Sequence, residues 1–310
     1  MPEYCPEAVS IRPARLFPSS EIAVIAPAGP FDEELLQRGI NIWRERGFEV
    51  YTRPELAQRQ GYLAGSDATR AEIFNAALAD PRIKAVVCAR GGYGALRIID
   101  RIKFELLATH PKILIGFSDF TVVSMEIWRR IKMVTFSGPM MAGGQLGRLS
   151  ASQLDEYFST LTSDVPPPPL SGEYARTLIP GRAEGILLGG NLTLLCYLAV
   201  AQRLPSMQGA VLMMEDTHEA PYRIDRMLTA LKLGGHLDRL AGLAIGRFGP
   251  GIDDRELDHL LLDRLEDLRI PILAGLDVGH EGFNRLVPVG LPVILDTDKK
   301  SVTFTCGGVC

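Results

Sequence analysis

Between Glu21 and Ile131 the sequence switches repeatedly between short apolar runs and longer stretches of helical periodicity. EIAVIAPAG precedes a helical pattern from about Asp32 to Arg46, and FEVYTR precedes a second around Ala68–Leu78. IKAVVCARGG precedes a third across Leu96–Leu107, and KILIGFSDF a fourth that runs through Ile131. Runs that are apolar throughout, rather than at every second residue, suit strands buried on both faces. Amphipathic helices between them supply the two covering layers. This alternation constrains the first half of the chain to an α/β fold built on a parallel sheet.

After MVTFSGPM and a short helix near Ser152–Leu161 the pattern changes. TSDVPPPPLSGEY places four consecutive prolines among small polar residues, a stiff, extended segment that cannot join a central strand. It reads as a linker over 163–176. Short strands with glycine turns follow: AEGILLGG, AVLMMED, GLAIGRF, PILAGLDVG, LPVILDTD and SVTFTC. Helices are expected at Leu192–Ala201, Arg223–Leu233 and Asp253–Leu268. The expected division is an N-terminal domain over 1–162 and a mixed, strand-rich C-terminal domain over 177–310, which a 310-residue chain is long enough to support.

Composition removes several function classes. Thirty-seven acidic and 33 basic side chains leave a formal net charge of −4, and no lysine or arginine run could track a phosphate backbone, so no nucleic-acid partner is expected. The longest uncharged run, GILLGGNLTLLCYLAVAQ, is broken by Gly189, Gly190, Asn191 and Thr193; it fits a strand, a polar turn and a buried helix better than a membrane span. MPEYCPEAVSIRPARLF lacks the pattern of an export signal. Cys5, Cys88, Cys196, Cys306 and Cys310 form no CxxC pair and suit a reducing cytoplasm.

In open parallel sheets, ligands sit beyond the carboxyl ends of the strands. GFSDF lies at one such end. A serine on a tight strand-to-helix turn exposes its hydroxyl, and the following amide faces the same space, which is how a nucleophile and half an oxyanion hole are built. Ser118 or Asp119 can equally cap the helix that follows, and the segment does not match G-x-S-x-G. At a second strand end Gly91, Gly92 and Gly94 offer bare amides to an anion, or simply form a tight turn. They lack the G-x-G-x-x-G order of a dinucleotide loop. An amide from this loop together with that of Asp119 would give two donors to a developing oxyanion.

A nucleophilic serine needs a base. His110, His236 and His259 stand in surface or helix-end contexts, whereas His280 is displayed between glycines at a strand end, with His218 of MEDTHE its rival. Glu215 ends a fully apolar strand, a costly place for a carboxylate unless a cationic or protonated group meets it. A histidine there completes a triad. The other pairing open to Glu215 or Asp216 is Arg223 or Arg226. Glu215, Asp216, His218 and Glu219 are dense in possible metal ligands, but Pro221 argues for a loop rather than helical ligand spacing, and no metal is expected.

GYLAGSDATRAEIFNAALADPRIKAVVCARGGYGALR, HPKILIGFSDFTVV, VTFSGPM, GILLGGNLTLL, MEDTHEAPYRIDRML and DVGH, in this order, resemble the LD-carboxypeptidase family of serine peptidases. That family comprises cytoplasmic muramoyltetrapeptide carboxypeptidases, with microcin-immunity peptidases as relatives. The resemblance implies Ser118 as nucleophile, with Glu215 and His280 completing the triad, so that His218 loses its claim. It further implies a Rossmann-like N-terminal domain, a smaller C-terminal domain, a homodimer and no cofactor. The implied reaction removes terminal D-alanine from a murein tetrapeptide. Asp119 and Gly92 are the expected backbone oxyanion donors, and Arg90 or Arg223 the expected cation for the terminal carboxylate. After His280 the chain departs from the family pattern, bringing Glu281, Phe283 and Arg285 where small residues are usual. The rival readings are a microcin-type immunity peptidase, another Ser-His-Glu amidase or esterase, and a non-enzymatic module that binds a small anion.

Overall fold

The computed structural model describes residues 10–310; Cys5 and the opening segment MPEYCPEAV lie outside the described residues. Strands β1 (Glu21–Ile25), β2 (Glu49–Tyr51), β3 (Ile83–Cys88), β4 (Ile113–Gly116) and β5 (Thr135–Ser137) pair in parallel in the order β2-β1-β3-β4-β5. This is a doubly wound, Rossmann-like arrangement whose strand order reverses between β1 and β3. Helices α1 (Glu33–Glu45), α2 (Asp67–Ala79), α3 (Ala95–Ile98), α4 (Glu105–Thr109) and α5 (Thr121–Ile131) lie between the strands. Asp32 and Ser66 start α1 and α2 by accepting the amides of Leu35 and Thr69, donors that would otherwise be orphaned.

The single helix expected over Leu96–Leu107 is broken. It becomes α3, a 3₁₀ turn over Ile99–Arg101, and α4. Asn75 of α2 holds the break open: its amide group donates to the Arg101 carbonyl at 2.8 Å and its oxygen accepts from the Lys103 N–H at 2.9 Å. Helix α6 (Ala151–Thr162) begins with a capping box from Ser150 and Gln153. Beyond it the proline segment is pinned to the second sheet, where Leu170 and Val302 exchange two backbone hydrogen bonds of 2.8 Å.

The second sheet gathers β6 (Arg176–Ile179), β7 (Arg182–Asn191), β8 (Ala210–Glu215), β9 (Gly242–Ile245), β10 (Ile272–Ala274), β12 (Pro292–Asp296) and β13 (Ser301–Phe304), with β11 (Val287–Val289) set aside. Its order is β13-β12-β7-β8-β9-β10-β6. The four central strands run parallel, and antiparallel strands close both margins, which makes the sheet mixed. Helices α7 (Leu192–Val200), α8 (Pro221–Leu233) and α9 (Asp254–Leu265) join its parallel strands. β7 runs into α7 at Asn191 without the separate polar turn that the sequence suggests. No helix among the described residues is long and apolar enough to cross a membrane.

Two strands escape sequence reading. β6 is short and half-exposed, so no apolar run marks it. β11 leaves the second half of the chain to pair antiparallel with β5 of the first sheet, Val287 opposite Ser137 and Val289 opposite Thr135. The polypeptide thus returns to the first sheet directly after His280, and that return fixes where the histidine loop lies.

Candidate active site

Ser118 stands where β4 turns into α5. β4 ends at Gly116, where a Cβ would collide with the Phe120 ring, so only glycine lets the chain fold back this tightly. Ser118 then adopts φ 60°, a left-handed conformation that is uncommon for a residue with a side chain. The residue is half-buried, and its hydroxyl makes no hydrogen bond among the described residues. Neither Ser118 nor Asp119 caps α5, whose N-cap residue, Phe120, makes no side-chain bond. The Asp119 carboxylate instead accepts the Ala95 N–H at 2.7 Å, at the start of α3. Burial pushes the pKa of this carboxyl up to about 6.

The glycine loop after β3 lies against this turn. A Cβ on Gly91 would sit 3.0 Å from Ser118 Cβ and 3.1 Å from the Phe117 carbonyl, so a side chain there would crowd the serine turn. The Gly29 N–H, from the loop after β1, donates to the Gly91 carbonyl at 3.1 Å. Among the described residues, the amides of Gly92, Tyr93 and Asp119 have no acceptor. Loops from three adjacent strand ends therefore meet at the serine.

Glu215 arrives from the other sheet. It ends β8 directly opposite Asn191 of β7 and is 0% exposed. Its Oε2 lies 2.8 Å from His280 Nδ1, and its Oε1 accepts from Asn191 Nδ2 at 3.3 Å. Asn191 Nδ2 also donates to Asp216 Oδ1 at 2.9 Å, while the Asn191 backbone N–H reaches Thr121 Oγ1 of α5 at 3.0 Å. Gly246, just after β9, permits this crowding, because a Cβ there would clash with the Val278 carbonyl and lie 3.2 Å from Glu215 Cβ. Glu215 does not pair with Arg223 or Arg226.

The His280 side chain keeps 25% of its surface exposed. Its ring packs 4.7 Å, centroid to centroid, from Phe117, the residue before the serine. Burial works against a charge on this imidazole, but the Glu215 hydrogen bond and negative charge outweigh it and hold the pKa above the ordinary value. Burial likewise lifts the Glu215 carboxyl above its usual range, with the His280 contact pulling it part of the way back. With Nδ1 facing the carboxylate, the hydrogen-bond network assigns the proton to Nδ1 and leaves Nε2 free to accept one.

The loop carrying His280 is braced from the first half of the chain. Gln145 Nε2 donates to the Gly279 and His280 carbonyls at 3.3 and 3.4 Å, and its Oε1 accepts from Asn284 Nδ2 at 3.1 Å. Asn284, 1% exposed, accepts the Gly279 N–H at 3.3 Å. His218 is exposed and bonds Thr217 through Nδ1, away from Glu215. Arg90 and Arg223 are both exposed; Arg90 donates to the Pro30 carbonyl at 3.0 Å and pairs with no carboxylate among the described residues, whereas Arg223 lies 3.5 Å from Glu219. Of the braces, only Asn191 has a local signal in the sequence, a capping residue between a strand and an apolar helix. Gln145 and Asn284 have none.

A half-buried serine at a strand end of one sheet follows a phenylalanine that packs on His280, and His280 meets a buried acid of the other sheet; the class is a two-domain α/β protein that brings polar side chains to the junction of its sheets. Sequence profiles then fix the family. The LD-carboxypeptidase N-terminal domain matches residues 22–138 and its C-terminal domain matches 184–295, and the chain belongs to this family of peptidases. It is 35% identical over 312 residues, 96% of each chain, to a Bacillus subtilis protein named "Probable murein peptide carboxypeptidase". The crystal structure of the muramoyltetrapeptide carboxypeptidase from Oxalobacter formigenes superposes with a TM-score of 0.80 at 32% identity, covering 91% of this chain and 97% of that one. The microcin C7 self-immunity protein MccF of Escherichia coli is more distant, at 24% identity over 90% of each chain. Its unliganded wild-type structure has a TM-score of 0.86 at 21% identity, covers 97% and 100% of the two chains, and shares the fold.

Proposed function

We propose that the protein is a serine-type LD-carboxypeptidase that removes terminal D-alanine from murein-derived tetrapeptides. The observation that carries this reading is the 2.8 Å contact between His280 Nδ1 and a fully buried Glu215, with the imidazole packed beside the residue that precedes Ser118. His280 Nε2 takes the Ser118 proton as Oγ bonds to the scissile carbonyl carbon. Glu215 holds the tautomer and stabilises the imidazolium. The carbonyl oxygen gains the negative charge and meets the amides of Asp119 and Gly92. Collapse breaks the C–N bond, and His280 returns its proton to the departing amine of D-alanine. Water then attacks the acyl ester, giving its proton to His280, which passes it back to Ser118 Oγ.

Arg90 is the favoured cation for the terminal carboxylate, since Arg223 is already engaged by Glu219. On this reading the enzyme acts in the cytoplasm on recovered wall fragments, as a homodimer without a cofactor, all three as the family resemblance implies. A microcin-type activity is the second reading, favoured by the likeness to MccF. The higher identities to the murein carboxypeptidases, 35% and 32%, weigh against it. Incubation with disaccharide tetrapeptide should give tripeptide and free D-alanine by mass spectrometry, and a fluorophosphonate should label Ser118. Release of an amino acid from an aminoacyl sulfamoyl nucleoside, with the tetrapeptide left intact, would favour the microcin reading instead. Absence of both activities from folded protein that also fails to label would leave the anion-binding module.

A further inference from the structure

The glycine loop poses a physical problem. Donors for an oxyanion must be held still before the charge forms, because any reorganisation during the reaction subtracts from their effect. Gly92 and Gly94 both adopt positive φ, at 110° and 139°, in a stretch with little intrinsic stiffness. Something else has to hold it.

Two buried side chains grip the far end of this loop. The Asp119 carboxylate, on a residue 2% exposed, accepts the Ala95 N–H at 2.7 Å. The Arg70 guanidinium, on a residue 1% exposed, donates through Nη1 to the carbonyls of Pro27 and Gly94, the latter at 2.9 Å. Arg70 Nη2 is held by Asp67, which is gripped in turn by Arg97 at 3.0 Å. Glycine is required at 94 to admit this arrangement, since a Cβ would come 2.7 Å from Arg70 Nη1. Asp119 immediately follows Ser118, so its carboxylate couples the loop to the serine turn itself.

We propose that the Asp119 carboxylate on the Ala95 N–H, acting beside Arg70 on the neighbouring Gly94 carbonyl, is a positioning residue that fixes the glycine loop 91–95 against Ser118 and so presets the distance between the two oxyanion donors. This rests on the serine reading above. Asp119 then acts twice: its backbone amide is one donor, and its side chain sets the other. A cap that merely stabilised the four-residue α3 would affect folding and leave turnover per folded molecule alone.

The test measures kcat and KM of Asp119→Ala and Asp119→Asn on disaccharide tetrapeptide, alongside thermal melts and the rate of fluorophosphonate labelling at Ser118. Asp119→Ala should lower kcat by about 10² to 10³, the usual effect of losing one oxyanion donor, with KM changed by less than about threefold. Asp119→Asn keeps an oxygen for the Ala95 N–H and should recover at least about tenfold of that loss. A folded Asp119→Ala variant with near-normal kcat, or an Asn variant no better than Ala, overturns the proposal. Should Asp119→Ala not fold, Arg70→Lys takes its place. It keeps the charge but loses the planar guanidinium whose Nη1 meets both carbonyls while Nη2 meets Asp67, and normal kcat in folded Arg70→Lys counts equally against the idea. Ser118→Ala separates the two levels: an inactive Ser118→Ala beside a fully active Asp119→Ala defeats only the positioning role, whereas an active Ser118→Ala defeats the serine reading beneath it.

Discussion

At Ser118 the backbone itself is committed to placing one oxygen. A left-handed φ on a residue with a side chain costs about 1–3 kcal/mol and persists only where the surroundings impose it. Here Gly116, Gly91 and the Phe117–His280 packing impose it. Ser118→Ala and His280→Ala should each lower turnover by about 10³-fold or more while their thermal melts stay close to wild type, because members of a triad act as a unit. Near-normal hydrolysis by either variant would remove that residue from the mechanism. The pH dependence follows from the contact with Glu215. His280 must be neutral to accept a proton, and its pKa is raised, so the acid limb of kcat/KM should lie above the ordinary histidine value of about 6.5. Activity therefore falls as pH drops through that raised value. A Glu215→Gln variant removes the charge that raises it, and a pH profile measured on the variant's residual activity should show the limb moving down; an unmoved limb would mean that another group sets it. The strand-end serine, the strand-end acid and the glycine-flanked histidine are all legible in sequence because each carries a local contradiction, a polar group where an apolar run ends. Arg70, buried at 1% on a helix whose sequence reads as an ordinary exposed charge pattern, carries none.

Among the elements, β7 and α7 carry more than their apolar pattern suggests, because the single residue joining them serves both the helix and the acid. Asn191 Oδ1 caps α7 by accepting the Leu194 N–H at 3.2 Å, while Nδ2 serves Glu215 and Asp216 together. Asn191→Ala should cost about 1–3 kcal/mol in urea unfolding, the sum of a lost cap and two buried carboxylates short of a donor. Asn191→Asp keeps the cap oxygen but adds a third acid beside two others. Its folded-state pKa should be raised by burial and like charge, so its stability deficit should be smallest at low pH and grow as pH rises through that value. A deficit independent of pH would show that the new carboxylate escapes to solvent. The same level explains what sequence pattern does and does not reveal. Continuous apolar strands and most helices appear where expected because the information is local. The break between α3 and α4 does not, since it depends on Asn75 reaching across from α2. Strand β11 is equally opaque: VPV is too short to declare itself, and its partner β5 lies 150 residues earlier in register, Val287 opposite Ser137.

Across the whole molecule the proposed nucleophile belongs to one sheet and its base and acid to the other, so catalysis depends on how firmly the two are docked. Thr121, Arg203 and Gln145 each make a contact that crosses the junction. Thr121 of α5 receives the Asn191 amide, and Arg203 bridges Glu126 of α5 at 3.1 Å and Asp100 at 2.5 Å. The third, Gln145 with Asn284 and the Gly279 and His280 carbonyls, touches the histidine loop itself across 134 to 139 residues of chain. No periodicity or spacing can encode such a pairing, which is why it lay beyond the sequence. Its effect can be separated from general stability. The individual bonds are long, at 3.1 to 3.4 Å, so each contributes modestly, about 0.5–1.5 kcal/mol. Positioning is far less tolerant, since a misplacement of about 1 Å can reduce rate by about 10²-fold. Gln145→Ala should therefore lower kcat by about tenfold or more while unfolding stability falls by no more than about 2 kcal/mol. Asn284→Ala should behave alike. In the double variant the kcat losses should fall short of multiplying, because either change alone already frees the loop. Strict multiplication, or a loss of stability with kcat intact, would make the amide pair an ordinary packing contact and leave β11 as what holds His280 in place.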